Sequence, residues 1–198
     1  VQISENGNYT FKNGASITNT DINNKDGAQA IISHEGKFGK ISEITINVGN
    51  NEKRSQFILK GVSSENILQE NINKPNEPEG ALFTLNNNII NAYDYSKTNI
   101  NAQNTDIWLT GTFMNGISSD ESYNFQGKVK THDIKFTVDG NNSTNFNIYG
   151  NMFTGINACD NGKYNFDNLN NFNIINTYQP TKVQSNQIGI WLRSDTQV

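Results

Sequence analysis

The sequence predicts an all-β protein, built as an antiparallel β-sandwich of the jelly-roll or Greek-key type. Three observations predict it: apolar and polar residues alternate in short runs, glycine-containing dipeptides separate the runs, and asparagine is abundant. The 198 residues include 36 asparagines, and asparagine is unfavourable inside helices but suits turns. Because an alternating strand has one apolar face, at least two sheets must pack these faces together.

Alternation with a period of two residues recurs along the whole chain and indicates half-buried strands. The apolar positions of the predicted strands are, in order, Tyr9 and Phe11; Ile41, Ile44, Ile46 and Val48; Phe57 and Leu59; Ile107, Leu109 and Phe113; Ile134, Phe136 and Val138; Phe146 and Ile148; Tyr164 and Phe166; Phe172 and Ile174; Ile188, Ile190 and Leu192. No window keeps a helical spacing over three turns, and at most one helical turn is expected, near residues 63–70.

Six Asn-Gly or Asp-Gly dipeptides punctuate these runs. They begin at Asn6, Asn13, Asp26, Asn115, Asp139 and Asn161. Such dipeptides favour the positive φ angles of tight hairpin turns. We therefore expect mainly antiparallel neighbours.

The domain prediction is a single β domain over residues 1–198. Two β modules of about 1–74 and 81–198 are the alternative, joined by the segment 71–80, because Pro75 and Pro78 cannot take part in a central strand. A right-handed β-solenoid is the alternative architecture, although the chain contains no continuous repeat of about 20 to 30 residues.

One internal similarity spans an offset of about 90 residues. Its apolar positions Ile44, Ile46, Val48, Phe57, Leu59 and Gly61 align with Ile134, Phe136, Val138, Phe146, Ile148 and Gly150. The similarity predicts a duplicated β module or two equivalent hairpins, while chance similarity between amphipathic hairpins remains the other interpretation.

Charge and composition exclude several classes of function. The net charge is −4 and the only arginines are Arg54 and Arg193, so we expect no nucleic-acid partner. No apolar run reaches the roughly 20 residues that span a bilayer, which predicts no membrane insertion. His34, His132 and Cys159 show no metal-binding or catalytic spacing, so we predict no enzyme and no catalytic residues.

Two weak candidate sites remain. Tyr93, Asp94 and Tyr95 combine aromatic rings with a carboxylate, a mixture that stacks on sugar rings and bonds to their hydroxyl groups. Asp21, Asn23 and Asp26 resemble the start of an oxygen-rich loop that could bind Ca²⁺, the one possible cofactor, although Gly27 is one position too late for an EF-hand.

The pattern I-x-I-x-V, polar loop and F-x-L-x-G resembles β-sandwich modules of carbohydrate-binding and phage tail-associated proteins. The Asn-rich N-terminal segment resembles the passenger domains of bacterial surface adhesins. The chain begins at Val1, which favours a processed or excised segment. We expect an extracellular, cell-surface or virion-surface location.

In that location we expect a structural or adhesive subunit of a filament, a virion or an adhesin passenger. It would assemble with other protein subunits, and residues 1–13 could be a donated strand. The alternative is a non-catalytic carbohydrate-binding module that recognises a surface glycan. A polysaccharide-active enzyme is the least favoured hypothesis.

Overall fold

The structure, a computed structural model, describes residues 2–3, 7–11, 15–18, 30–37, 39–60, 88–93, 95–119, 133–158, 162–177 and 188–192. Strands make up 85% of them, which confirms the all-β prediction. The strands are β1 (Gln2–Ile3), β2 (Gly7–Phe11), β3 (Ala15–Thr18), β4 (Ala30–His34), β5 (Ser42–Gly49), β6 (Ser55–Lys60), β7 (Asn88–Ala92), β8 (Ser96–Gln103), β9 (Thr105–Ser118), β10 (Ile134–Ala158), β11 (Gly162–Asn176) and β12 (Ile188–Leu192).

All pairings between these strands are parallel, and they form three ladders. Ladder A contains β1, β4, β7, the last part of β9, the last part of β10 and β12. Ladder B contains β2, β5, β8 and the first parts of β10 and β11. Ladder C contains β3, β6, the first part of β9, the middle of β10 and the last part of β11. The long strand β10 thus takes part in all three ladders.

The predicted antiparallel β-sandwich is therefore wrong. The strands belong to one twelve-stranded sheet, which is curled and parallel. The only antiparallel contact among the described residues is an isolated bridge between Lys37 and Lys40. Period-two alternation reports which side of a strand is buried, but it is the same for both strand directions. The right-handed β-solenoid remains a prediction.

The glycine-containing dipeptides do not form hairpins where the structure describes them. Asn115 and Gly116 lie inside β9, and Gly162 begins β11. Asp139 and Gly140 lie in β10 next to a break in its register with β11. The dipeptides mark strand starts or bends in a continuous strand, and this is why they misled the prediction of strand direction.

Asparagines in the left-handed region form the corner between ladders B and C. The φ angles are 49° at Asn104, 48° at Asn141, 53° at Asn142 and 51° at Asn168. Asparagine tolerates this region better than most residues because its short side chain bonds to nearby backbone groups. Asparagine therefore turns the chain from one ladder to the next.

The corner between ladders C and A depends on glycine instead. Gly150 pairs with Gly111 across the strands and has a φ angle of 143°. A Cβ atom on Gly150 would lie 2.0 Å from the carbonyl oxygen of Gly111. Only glycine allows this close approach of two backbones.

The core consists of inward columns, in which residues of successive strands stack in register. Ile46, Ile100 and Val138 form one column in ladder B, and all are at most 2% exposed. In ladder C the inward columns are Phe57, Ile107 and Phe146, and Leu59, Leu109 and Ile148, all fully buried. Towards the end of the chain the core becomes aromatic, with the rings of Phe166 and Phe172 stacked 4.7 Å apart.

The internal similarity has a structural counterpart in ladder C. Phe57 and Leu59 share columns with Phe146 and Ile148, and β9 lies between them. In ladder B the alignment is two residues out of register, because Ile44 shares its column with Phe136 and not with Ile134. The segments 63–70 and 71–80, and with them the predicted helical turn and domain boundary, lie outside the described residues.

Candidate functional site

The outward side of ladder C carries a regular array of amide side chains, which we call the amide face. It is made of the outward positions Gln56, Asp106, Asn145 and Asn171 in one column and Ile58, Trp108, Asn147 and Asn173 in the next. The outward direction follows from their neighbours, because Ile107, Leu109, Phe146 and Ile148 are fully buried. Alternation thus points every second side chain of this ladder towards solvent.

The amides of the amide face bond to each other across the strands. Asn173 Nδ2 donates to Asn147 Oδ1 at 2.9 Å, and Asn171 Nδ2 donates to Asn145 Oδ1 at the same distance. Asn147 Nδ2 donates to the carbonyl oxygen of Ile107 at 3.2 Å. Since an amide has both donor and acceptor atoms, each one continues the ladder of its neighbour. These four asparagines therefore have a structural role.

Asp106 is the charged centre of the amide face. Its Oδ1 accepts a hydrogen bond from Asn145 Nδ2 at 2.7 Å, and its Oδ2 accepts one from Arg54 Nε at 3.1 Å. Arg54 Nη2 also donates to Asp106 Oδ1. The hydrogen bonds that Arg54 donates to Asp106 raise the pKa of the Arg54 guanidinium. The carboxylate is thus fully occupied by a bidentate pair and an amide, an arrangement suited to positioning rather than to acid–base chemistry.

Two aromatic side chains stand among these amides. Trp108 is half-buried, and Tyr149, in the neighbouring column, is 42% exposed. The register neighbours of Tyr149 are Thr110 on β9 and Ile175 on β11, and Ile175 is 50% exposed. Exposed aromatic rings can stack on a sugar ring, while neighbouring amides form hydrogen bonds with its hydroxyl groups. The sequence alone does not place these two aromatic residues on one face, because that requires the register of β9 and β10.

The predicted ligand site at Tyr93, Asp94 and Tyr95 lies at the corner between β7 and β8. Tyr93 Oη accepts a hydrogen bond from Asn91 Nδ2 at 2.8 Å, and Tyr95 has a φ angle of 56°. The two tyrosines therefore do not follow each other along one extended strand. Asp94 lies outside the described residues, and a ligand site at this corner remains a prediction.

The predicted calcium residues Asp21, Asn23 and Asp26 also lie outside the described residues. In the part of the chain that the structure describes, no group of three or more His, Cys, Asp and Glu side chains is arranged to hold a metal ion. The calcium site remains a prediction.

A buried histidine lies beneath ladder B. His34 is 1% exposed, its Nδ1 is 2.8 Å from Thr98 Oγ1 and its Nε2 is 3.0 Å from Ser42 Oγ. Desolvation by burial lowers its pKa to about 4. The two hydroxyl groups can satisfy a neutral imidazole, one as donor and one as acceptor. His34 therefore connects β4 to β5 and β8 as an uncharged group.

The two ends of the sheet expose strand edges. Within the described residues, β1, β2 and β3 each pair with a single strand, and so do β11 and β12. Tyr9 is 37% exposed at the first end, although its register partner Ile46 is buried. Phe172 is 37% exposed and Ile190 is 39% exposed at the other end. Inward positions thus reach solvent at both ends.

Comparison with known proteins gives no match to a family model, to a curated protein or to a solved structure. Among the described residues, no helix is both long enough and apolar enough to cross a bilayer.

Proposed function

We propose that the chain is a structural or adhesive protein of a cell or particle surface that acts outside the cytoplasm by assembling end to end with further copies of itself. The proposed location is based on the amide-rich, weakly charged composition. The observation that carries the assembly is the pair of matching strand edges. The proposal contains no catalytic step.

The two ends match ladder by ladder. The first end presents β1 in ladder A, β2 in ladder B and β3 in ladder C, while the other end presents β12 and the two parts of β11. Since every pairing between the described strands is parallel, a second copy in the same orientation would continue all three ladders with unchanged direction. Unpaired strand edges are templates for such pairing.

The side chains at the two ends also suit each other. Tyr9 occupies the same inward column of ladder B as Ile46, Ile100, Val138 and Phe166. In a head-to-tail pair, Tyr9 of one copy would lie over Phe166 of the other and cover an aromatic ring. A head-to-tail contact that does not close into a ring gives a filament. Assembly would therefore bury apolar side chains that each end now exposes.

Sedimentation velocity and electron microscopy over a wide range of protein concentration test this proposal. We expect mass to grow with concentration, and we expect the Tyr9→Glu and Phe172→Glu variants to shift the distribution to monomers, since each places a charge at one edge. Thr45→Glu adds the same charge to the outward side of the internal strand β5 and should assemble as the unchanged protein does. Circular dichroism checks that each variant is folded. A protein that remains monomeric at the highest concentration would overturn the assembly.

A second function, non-catalytic carbohydrate binding, is favoured by the exposed Tyr149 ring beside the amides of the amide face. We expect Tyr149→Ala and Trp108→Ala to weaken binding on a glycan array, whereas Tyr9→Ala removes an exposed ring elsewhere and should not. Tyr93→Ala and Tyr95→Ala test the corner site in the same experiment. If all five variants bind glycans as strongly as the unchanged protein does, both candidate glycan sites are wrong.

A further inference from the structure

A row of lysines crosses the outward side of ladder B. Lys97 of β8, Lys135 of β10 and Lys163 of β11 are direct register neighbours, and Glu43 of β5 continues the row on the other side of Lys97. Neighbouring strands lie about 4.8 Å apart, so the positive charges follow each other at close and regular intervals. We call Lys97, Lys135 and Lys163 the lysine row.

Only one member of the lysine row has an ionic partner among the described residues. Lys97 Nζ lies 2.7 Å from Glu43 Oε1. Within the same part of the chain, no carboxylate forms an ion pair with Lys135 or with Lys163. Like charges directly opposite each other on neighbouring strands are destabilising. Glu43 reduces this repulsion, since the hydrogen bond from Lys97 and the charge of Lys135 lower its pKa, and an anion over Lys135 and Lys163 would reduce it further.

A shallow groove runs along the lysine row. It has a volume of about 270 Å³ and is lined by Ile41, Ser96, Lys97, Asp133, Ile134, Lys135 and Lys163. This volume lies just below the range for small-molecule sites, about 300 to 1,000 Å³. The groove can therefore hold one part of a larger ligand. Among the described residues of its lining, Asp133 is the single acidic one, and it would favour a ligand whose charged groups lie on the lysine side.

Protection of a strand edge is a simpler role for one of these lysines. An edge lysine discourages unwanted pairing, and Lys163 lies on β11. That role does not apply to Lys97 and Lys135, because β8 and β10 are paired on both sides in ladder B. Lys97 is already paired with Glu43, so Lys135 is the member of the row that needs a different reason.

We propose that the lysine row binds an acidic polysaccharide, with successive anionic groups of the polymer above Lys135 and Lys163. A linear polymer with regularly repeated charges fits a straight line of cations across parallel strands. Nucleic acid is disfavoured because no arginine, the main residue for bidentate phosphate recognition, lines the groove among the residues that the structure describes. Lys97 and Lys135 lie on internal strands, away from the strand edges of the proposed assembly, so the site goes beyond that assembly.

Affinity electrophoresis and calorimetry with four probes test the proposal: polygalacturonate, dextran sulfate, neutral dextran and a single-stranded oligonucleotide. We expect binding to at least one of the two acidic polysaccharides, and their comparison decides between carboxylate and sulfate. Binding should weaken as salt is added, because screening reduces exposed charge interactions. Stronger binding of the oligonucleotide, or equal binding of neutral dextran, would overturn the proposal.

Substitutions of lysines inside and outside the lysine row test whether the row is the binding site. Lys135→Gln and Lys163→Gln together should weaken binding about fivefold to tenfold, as expected for two exposed ionic contacts. Lys53→Gln removes the same charge from an exposed turn outside the groove and should leave the affinity within about twofold. Glu43→Gln should strengthen binding, because it releases Lys97. Equal losses in Lys53→Gln and Lys135→Gln would show unspecific charge attraction and contradict the site. Lys135 lies on an internal strand, so its variant leaves assembly unchanged and separates this proposal from the previous one.

Discussion

Ladders B and C are both parallel, and β10 and β11 take part in both of them. The side chains on their outward sides nevertheless interact in different ways. In ladder C, Asn145 bonds to Asp106 on one side and to Asn171 on the other. In ladder B, Lys135 lies between Lys97 and Lys163 in register. An amide is both donor and acceptor, whereas an ammonium group only donates. Stacked amides therefore satisfy each other, while stacked lysines cannot bond to one another and leave their exposed ammonium groups to water or to an external anion.

The largest expected effect comes from the core that both faces share. Phe146 is fully buried, and its ring centroid lies 5.6 Å from that of Phe166 and 5.7 Å from that of Phe172. Phe146→Ala should reduce the free energy of unfolding by about 3–5 kcal/mol, because it removes buried area and leaves a cavity. Urea unfolding measures this change. Phe172→Ala, at the exposed end of the sheet, should reduce the free energy of unfolding clearly less. Equal reductions in the two variants would contradict the placement of Phe172 at an exposed end.

A smaller effect on the free energy of unfolding should come from His34, whose ring nitrogens lie next to Thr98 and Ser42 of ladder B. Because its pKa falls from 6.5 in the unfolded chain to about 4 in the fold, the unfolded state binds more protons between these values. The stabilising contribution is complete above pH 6.5 and decreases as the pH falls towards 4. The free energy of unfolding should fall by about 2 kcal/mol between pH 7 and pH 5.

The control for this pH dependence is His34→Gln, which keeps polar atoms near Ser42 and Thr98 but does not titrate. Its stability should change little between pH 7 and pH 5, whatever its absolute value. Parallel pH curves for the two proteins would contradict a neutral buried imidazole.

Much of the strand pattern could be predicted from the sequence. Ile44, Ile46 and Val48 point inward from β5 as alternation requires. Strand direction could not be predicted, since it depends on what joins the strands. Asn104 and Asn168 turn the chain between ladders without a following glycine, so a search for Asn-Gly dipeptides passes over them.

The candidate surfaces were harder to predict than the strands. Lys97, Lys135 and Lys163 are separated by unequal lengths of sequence, so their alignment appears only when the register is known. The same holds for Trp108 and Tyr149. In this fold, segments of different length separate strands that stack directly, and this also explains why no fixed repeat is visible.

The contribution of the hydrogen bonds between side chains of the amide face can be tested directly. Asn145→Ala should lower the free energy of unfolding by about 1–2 kcal/mol, because it leaves Asp106, Asn170 and Asn171 each without one hydrogen bond. Asn165→Ala, at an exposed position of β11, is the matched control and should change stability by less than about 0.5 kcal/mol. Thermal and urea unfolding of the two variants measure the difference. Equal stabilities would mean that the amide ladder contributes nothing.

The smallest expected effect completes the comparison on ladder B. Lys135→Gln should leave the free energy of unfolding within about 0.5 kcal/mol of the unchanged protein, and any change should be a gain, because it relieves repulsion from Lys97 and Lys163. Added salt should diminish this gain, since screening weakens the repulsion that the substitution removes. Urea unfolding at low and high salt measures both quantities. A clear loss of stability would mean that Lys135 is held by partners within the fold, and the argument that the lysine row needs an external anion would then fail.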